Sequence, residues 1–510
     1  MKLRILLFLL IFPCTIFSNN VPTYPANVEA VLKKAGKNRV ELEKAIVYFR
    51  HSKDPLKLKA IYFLIGNMDI HYSQDYYWAD SASGKRIQFN EMDYPDMTSA
   101  VKAFDEIKAK NGKMKPVPYT YKDIDIITSK YLIDNIELAF KVWKGSNAKR
   151  FSFTDFCEYI LPYRVSSEPL QNWREVYQKR FSWISDSAKT KNTSGVLHDV
   201  AAEFKTWFIN TWELEKRTEP LPRLGPLQLL NRKKGNCDDI ADLEIFTLRS
   251  QGFPASLEHV PYWATSTGRH FFNRTLDEQM KSLPFDISTS NIKIDNFSRE
   301  PSKVVRITYS KQADALATKL ATSAIPEGYM RMLNYLDVTN EYWETSDINL
   351  KVFNTPVKPV IAYACVFNGM GWKPTWWGKV KGDSVKFTNM CKGAVFLPMF
   401  YINGRLFPAG YPLASGYKHQ MVLKADTLNK RSISIKQQDK YLIFRPNKNY
   451  KLYYWNNGWK LLGQQKAIEG STELKFTAVP KNALFLLLPE YSEGKERPFM
   501  ITDEGVRVWW

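Results

Sequence analysis

Apolar residues recur at helical spacing through the early part of the chain. Val40, Leu42, Ala45, Ile46 and Phe49 make one stripe, Leu56 through Leu64 a second, and Ile126, Ile127, Leu132, Ile133, Ile136, Phe140 and Trp143 a third. Asp54-Pro55 opens the second stripe, with proline where a helix tolerates it best. The pattern predicts a helical domain over residues 19–185. Ile240, Leu243, Phe246, Thr247 and Leu248 predict a further helix that opens at Cys237, runs to Arg249 and is ended by Gly252-Phe253-Pro254. Ala255 to Val260 and Arg269 to Leu276 read as strands on either side of a Thr265-Ser266-Thr267-Gly268 turn. A helix packed on an antiparallel sheet follows for residues 186–300. In the connecting segment, 301–344, Lys303 to Ser310 reads as a strand and Lys311 to Tyr335 as helices interrupted by Pro326. From Ile348 onward, short alternating runs are separated by Asn368-Gly369, Asn403-Gly404 and Asn457-Gly458. This is the pattern of β-sandwich modules, here 345–430 and 431–510. The fold class expected is α+β.

Composition refines this picture. At 510 residues the chain exceeds what one core organises, and 44% hydrophobic content supplies ample apolar surface to bury. Lys2 and Arg4 precede an apolar run from Ile5 to Phe17 and then Ser18, which reads as an export signal over residues 1–18, too short to span a membrane as a stable helix. The expected setting is therefore the periplasm or cell surface. A lipid anchor at Cys14 is not favoured, because Phe12-Pro13 precedes it. No later apolar run is long enough for a membrane span. A formal charge of +20 favours anionic surroundings, yet the Lys and Arg are dispersed and no nucleic-acid motif occurs, so a solvated basic surface is expected and nucleic acid is not. Cys157, Cys237, Cys365 and Cys391 are too few for a disulfide scaffold; Cys365 and Cys391 are either a bridge or two buried thiols. No Cys/His grouping has metal-ligand spacing, and no glycine-rich phosphate loop appears, so neither metal nor cofactor is expected.

The candidate chemistry lies in Gly235-Asn236-Cys237-Asp238-Asp239, trailed by His270 and Asp286. A thiol is a good nucleophile only as thiolate, a nearby imidazole takes its proton, and a carboxylate fixes the imidazole tautomer. A helix start at Cys237, with Arg232, Lys233 and Lys234 just upstream, would lower the thiol pKa, whereas Asp238 and Asp239 would raise it. The Cys237 N–H is the expected first oxyanion donor, and Gln228 or Trp212 the candidate second.

From Gly235 to Asp286 the chain resembles the transglutaminase-like core, the papain-related superfamily of thiol enzymes. Three blocks carry the resemblance: GNCDDIADLEIFTLRSQGFPASLE, GRHFFNRTL and LPFDIST. They correspond to the family's Gly-x-Cys helix with its Leu-Arg-x-x-Gly-hydrophobic-Pro-Ala ending, its histidine strand and its acid. Phe271 and Phe272 stand where the family usually has Ala-Trp. The resemblance implies a Cys237, His270, Asp286 triad, no cofactor, and attack on an amide or peptide carbonyl. The whole layout also resembles multidomain transglutaminase-like proteins exported by Bacteroidetes.

Leu161-Pro162-Tyr163-Arg164, with Glu168, Trp173 and Arg174, either lines a substrate groove or docks the helical domain on the core; Trp263 is a further groove candidate. In the tail, Trp372, Trp376, Trp377, Trp455, Trp459, Trp509 and Trp510 either fill cores or stack on carbohydrate. Three functions are in play. The leading one is hydrolysis of a peptide, glycopeptide or protein substrate by a peptidase or amidase; the others are transfer to an amine and non-catalytic glycan or protein binding. All three triad residues precede residue 300, so removal of 345–510 is expected to spare turnover of a small substrate.

Overall fold

The computed structural model describes residues 24–145, 148–211, 223–287, 292–294, 299–356, 359–439 and 441–509. Residues 1–18, read as an export signal, and Trp212 and Trp510 lie outside them. The fold is α+β, with helices in front, a mixed core and antiparallel sheets behind.

The front helices Ala26–Lys34, Arg39–Arg50, Pro55–Asn67 and Ser129–Trp143 bury the expected stripes. Asp54 caps the third by accepting the Leu56 N–H. Val40 and Ile126, read as stripe members, are exposed. The front is not wholly helical, because an antiparallel sheet in the order Arg86–Ile87, Tyr72–Asp80, Met114–Lys122 is inserted in it with the helix Met97–Asn111. Tyr72–Asp80 is rich in strand-favouring aromatics, and Met114–Lys122 is an edge strand, the position that tolerates Pro116 and Pro118.

The core is a six-stranded antiparallel sheet in the order Tyr335–Asp337, Val305–Ile307, Ser256–Val260, His270–Leu276, Ser282–Asp286, Lys293–Ile294, with the helix Cys237–Ser250 packed on it. Gly252 ends that helix at φ +83°, where a Cβ would press on the Val142 carbonyl and Ala148. The connecting segment supplies two of the six strands. The helices expected between Lys311 and Tyr335 reduce to three short turns, Leu316–Thr318, Thr322–Ala324 and Tyr329–Arg331. Among the described residues no helix is long and apolar enough to cross a membrane.

An eight-stranded antiparallel sheet follows from Thr345–Lys351, and a second module begins at Asp426–Lys436. Neither is a detachable appendage. One apolar core runs from Trp173 and Phe246 through Tyr335 into Cys365, Leu397, Trp455 and Met500. Lys303 is fully buried, with its ammonium on Asp337, the Asn389 and Thr388 carbonyls and the face of Trp376. Trp372, Trp376, Trp377, Trp455 and Trp459 pack in the same junction: Trp372 meets Trp455, and Trp455 meets Trp459, edge to face at 5.4 and 5.2 Å. These rings fill a core instead of forming a flat platform.

Deleting residues 345–510 would therefore expose apolar surface worth about 25 cal/mol per Å². The shortened chain is expected to lose cooperative thermal unfolding and to bind a hydrophobic dye, as read by near-ultraviolet circular dichroism and dye fluorescence. A truncated chain with a sharp transition near that of the intact protein would contradict the shared core.

Candidate active site

The chain reaches the thiol through a tightly specified turn. The helix Pro226–Arg232 stops at Lys233, which is left-handed at φ 55°, and Lys234–Gly235 pairs in parallel with Ile209–Asn210. Gly235 is required because a Cβ there would lie 2.4 Å from that of Asp239. Asn236 caps the next helix: its Oδ1 accepts the Asp238 and Asp239 N–H groups at 2.9 and 3.2 Å, and Asp239 Oδ2 accepts the Asn236 N–H at 2.9 Å. Cys237 is thus the first helical residue, and its own N–H is not used by this capping box.

His270 opens the central strand, and the register Asn273↔Phe285 carries Asp286 diagonally beside it. Its Nε2 lies 2.8 Å from Asp286 Oδ2, which leaves Nδ1 for another partner. The imidazole stacks with Trp263 at 5.8 Å and 25°, and with Phe272 at 6.2 Å and 13°. The two side chains retain 20% and 15% exposure, so the pair meets solvent.

The thiol itself is turned elsewhere. Cys237 Sγ donates to Asp238 Oδ1 at 3.3 Å, and no hydrogen bond joins it to His270. Burial, then the charge of Asp238 and its hydrogen bond, push the thiol up to about 12, while the Phe271 peptide group works in the opposite direction. At neutral pH the resting thiol is therefore protonated. Asp238 Oδ2 is in turn held by Arg223 Nη1 at 3.1 Å and approached by the exposed Arg269 at 3.5 Å. Arg223 also holds Asp242 at 2.8 Å and donates to Ser166 Oγ at 2.8 Å. Behind the site, Glu244 is buried on the Asn273 amide and its carboxyl is driven well up, first by burial and then by Asp286.

Several expected roles fall to other residues. Arg232 does not serve the thiol: it donates to Glu91 at 2.7 and 2.8 Å and to Tyr76 at 3.2 Å, which ties the turn to the inserted sheet. Gln228 Oε1 accepts the Gly225 N–H at 2.8 Å and caps its own helix, with no bond to Cys237. Tyr163, Arg164 and Trp173 line no groove. All three are buried, with Arg164 on Asp123 at 2.6 and 2.8 Å, Tyr163 Oη donating to Asp123 at 3.0 Å, and Trp173 Nε1 donating to the Tyr163 carbonyl at 2.9 Å. They dock the front domain on the core, with Trp173 packed on Phe246 at 4.7 Å and the Arg164 carbonyl accepting from Arg249 at 2.7 Å, and the buried guanidinium, committed to Asp123, has no capacity left for a ligand. Trp263 lies beside His270. Trp212 lies outside the described residues. Cys157, Cys365 and Cys391 are buried free thiols, so the tail pair is not bridged. Arg223 and Arg269 escaped the sequence reading. Arg269 adjoins His270 and was within its reach, whereas nothing local marks Arg223.

Residues 184–287 match a family model described as the transglutaminase-like superfamily. The chain is similar to red sea bream transglutaminase, known from a crystal structure, at 9% identity and a TM-score of 0.20 over 86% of this chain and 77% of that one. No curated protein matches the chain.

The Asp238 contact makes a signed prediction. Asp238→Asn keeps a polar side chain but removes the charge that opposes the thiolate, so the rise of Cys237 alkylation with pH should move down by about one unit, or about tenfold faster labelling at pH 8. Mass spectrometry of iodoacetamide-labelled Cys237 across pH reads this directly. An unshifted profile would mean that burial alone holds the proton.

Proposed function

With residues 184–287 forming a transglutaminase-like core, we propose that this chain is a cysteine-dependent acyl-transfer enzyme that attacks an amide or peptide carbonyl and passes the acyl group to water. The observation that carries this reading is the Asp286 hydrogen bond to His270 Nε2, which leaves Nδ1 as the base on a strand whose next residue, Phe271, has a peptide group that favours the thiolate.

In the proposed cycle Cys237 rotates off Asp238 and gives its proton to His270 Nδ1. The sulfur attacks the carbonyl, and the oxyanion meets the Cys237 N–H. The imidazolium, stabilised by Asp286, returns the proton to the leaving amine, so one C–N bond is exchanged for a C–S bond. His270 then deprotonates a water that cleaves the thioester and restores the thiol. The solvent contact of His270 and Asp286 supports water as acceptor, because an amine competes only where a site excludes water. The substrate class is a peptide, glycopeptide or protein, and an exported setting belongs to the same proposal. One observation favours a second reading: a thiol held on Asp238 also suits a binding protein that keeps the fold without turnover.

A product screen of the intact protein against Cys237→Ala on peptides, glycopeptides and glutamine-plus-amine pairs separates these. Hydrolysis is expected in the wild type and none in Cys237→Ala. Asp286→Asn should keep the fold by circular dichroism while losing activity by roughly 10³–10⁴-fold, since the imidazole loses the group that sets its tautomer. Equal turnover by wild type and Cys237→Ala would remove the enzyme reading.

A further inference from the structure

Two residues from the C-terminal sheets converge on the loop that precedes His270. Asn368, the buried last residue of the strand Ile361–Asn368, donates through Nδ2 to the carbonyls of Trp263, Ser266 and Gly268 at 3.0, 2.9 and 3.0 Å, and accepts the Gly268 N–H on Oδ1 at 3.1 Å. Arg497, more than a hundred residues further on, donates to the same Ser266 carbonyl at 3.2 Å and to those of Ala264 and Phe367. Trp263 and Ala264 are buried, and a buried carbonyl left without a donor costs free energy; here the tail supplies the donors to a loop of the core. Gly268 sits at φ +84°, a conformation that this backbone clamp helps to hold. The loop carries Trp263, whose ring stacks on His270, and it feeds directly into the strand that His270 opens.

We propose that Asn368 and Arg497 are positioning residues for His270: the C-terminal modules complete the active site by clamping the Trp263 loop against the imidazole. This rests on the reading that His270 serves Cys237. It replaces the expectation that removal of 345–510 spares turnover of a small substrate, because a clamp on the base affects the smallest acyl donor as much as the largest.

The test uses the full chain, with Asn368→Ala, Arg497→Ala and the conservative Arg497→Lys, and two readouts. The first is acylation by p-nitrophenyl acetate as a function of pH. The second is the carbon-13 Cε1 resonance of His270, assigned by its loss in His270→Ala. Both alanine variants are expected to acylate about tenfold more slowly at saturating ester, with half-saturation little changed and the pH midpoint moved. Their His270 resonance is expected to move away from its ring-shifted position as Trp263 leaves, and Arg497→Lys to recover part of both. A His270 resonance and pH profile unmoved in folded variants would overturn the clamp. If the wild type itself fails to acylate, the proposed function falls, and the resonance alone decides the clamp. If Asn368→Ala does not fold, Asn368→Asp, which keeps the shape but loses the amide donors, gives the same two outcomes.

Discussion

The helix Cys237–Ser250 is buried along its whole length, and of its residues only Asp238 is more than marginally exposed. A helix enclosed on all sides must satisfy every polar group it carries from its neighbours. At its far end Arg249 donates to the carbonyls of Arg164 and Tyr159, and its own carbonyl accepts from Arg174. These bonds fasten the helical front to the core. At its near end the Asn236–Asp239 box and Gly235 fix where the first turn begins, and with it where Cys237 stands. The thiol is placed by the demands of a buried helix before any substrate is considered.

The same burial explains why the resting thiol is quiet. A desolvated sulfur next to Asp238 keeps its proton, and the two arginines pair with that carboxylate. In the proposed cycle, reactivity depends on reorientation toward His270 and not on a thiolate present at rest. The imidazole is held by two neighbours, Asp286 at Nε2 and Trp263 over the ring, and the loop bearing Trp263 is tied to the C-terminal part of the chain by Asn368 and Arg497.

Much of this was legible in the sequence where the signal was local. The stripe Ile240, Leu243, Phe246, with Gly252-Phe253-Pro254 behind it, marked the helix to within a residue of its end, and runs on either side of a turn marked the strands at 255–260 and 269–276. Strands inside the helical front were missed, because Tyr72–Asp80 carries aromatics suited to either period. Tyr163, Arg164 and Trp173 have the composition of a binding loop and the position of a strut; only the buried Asp123, forty residues upstream, distinguishes the two. The ties of Glu91 to Arg232 and of Arg497 to Ala264 join residues more than a hundred positions apart, a separation at which a single sequence carries no pairing information. The tail read as appended modules because each has its own strand pattern, while the apolar core it shares with the six-stranded sheet is a three-dimensional property.

The central claim is that Cys237 receives an acyl group with His270 as its base. Its most direct test is to expose the intact protein to an activated ester, quench in acid and map the acyl adduct by mass spectrometry in wild type and His270→Ala. The account predicts a single adduct on Cys237 that forms at least about a hundredfold more slowly in His270→Ala. Adducts spread over surface lysines, or a Cys237 adduct formed equally fast without His270, would contradict it.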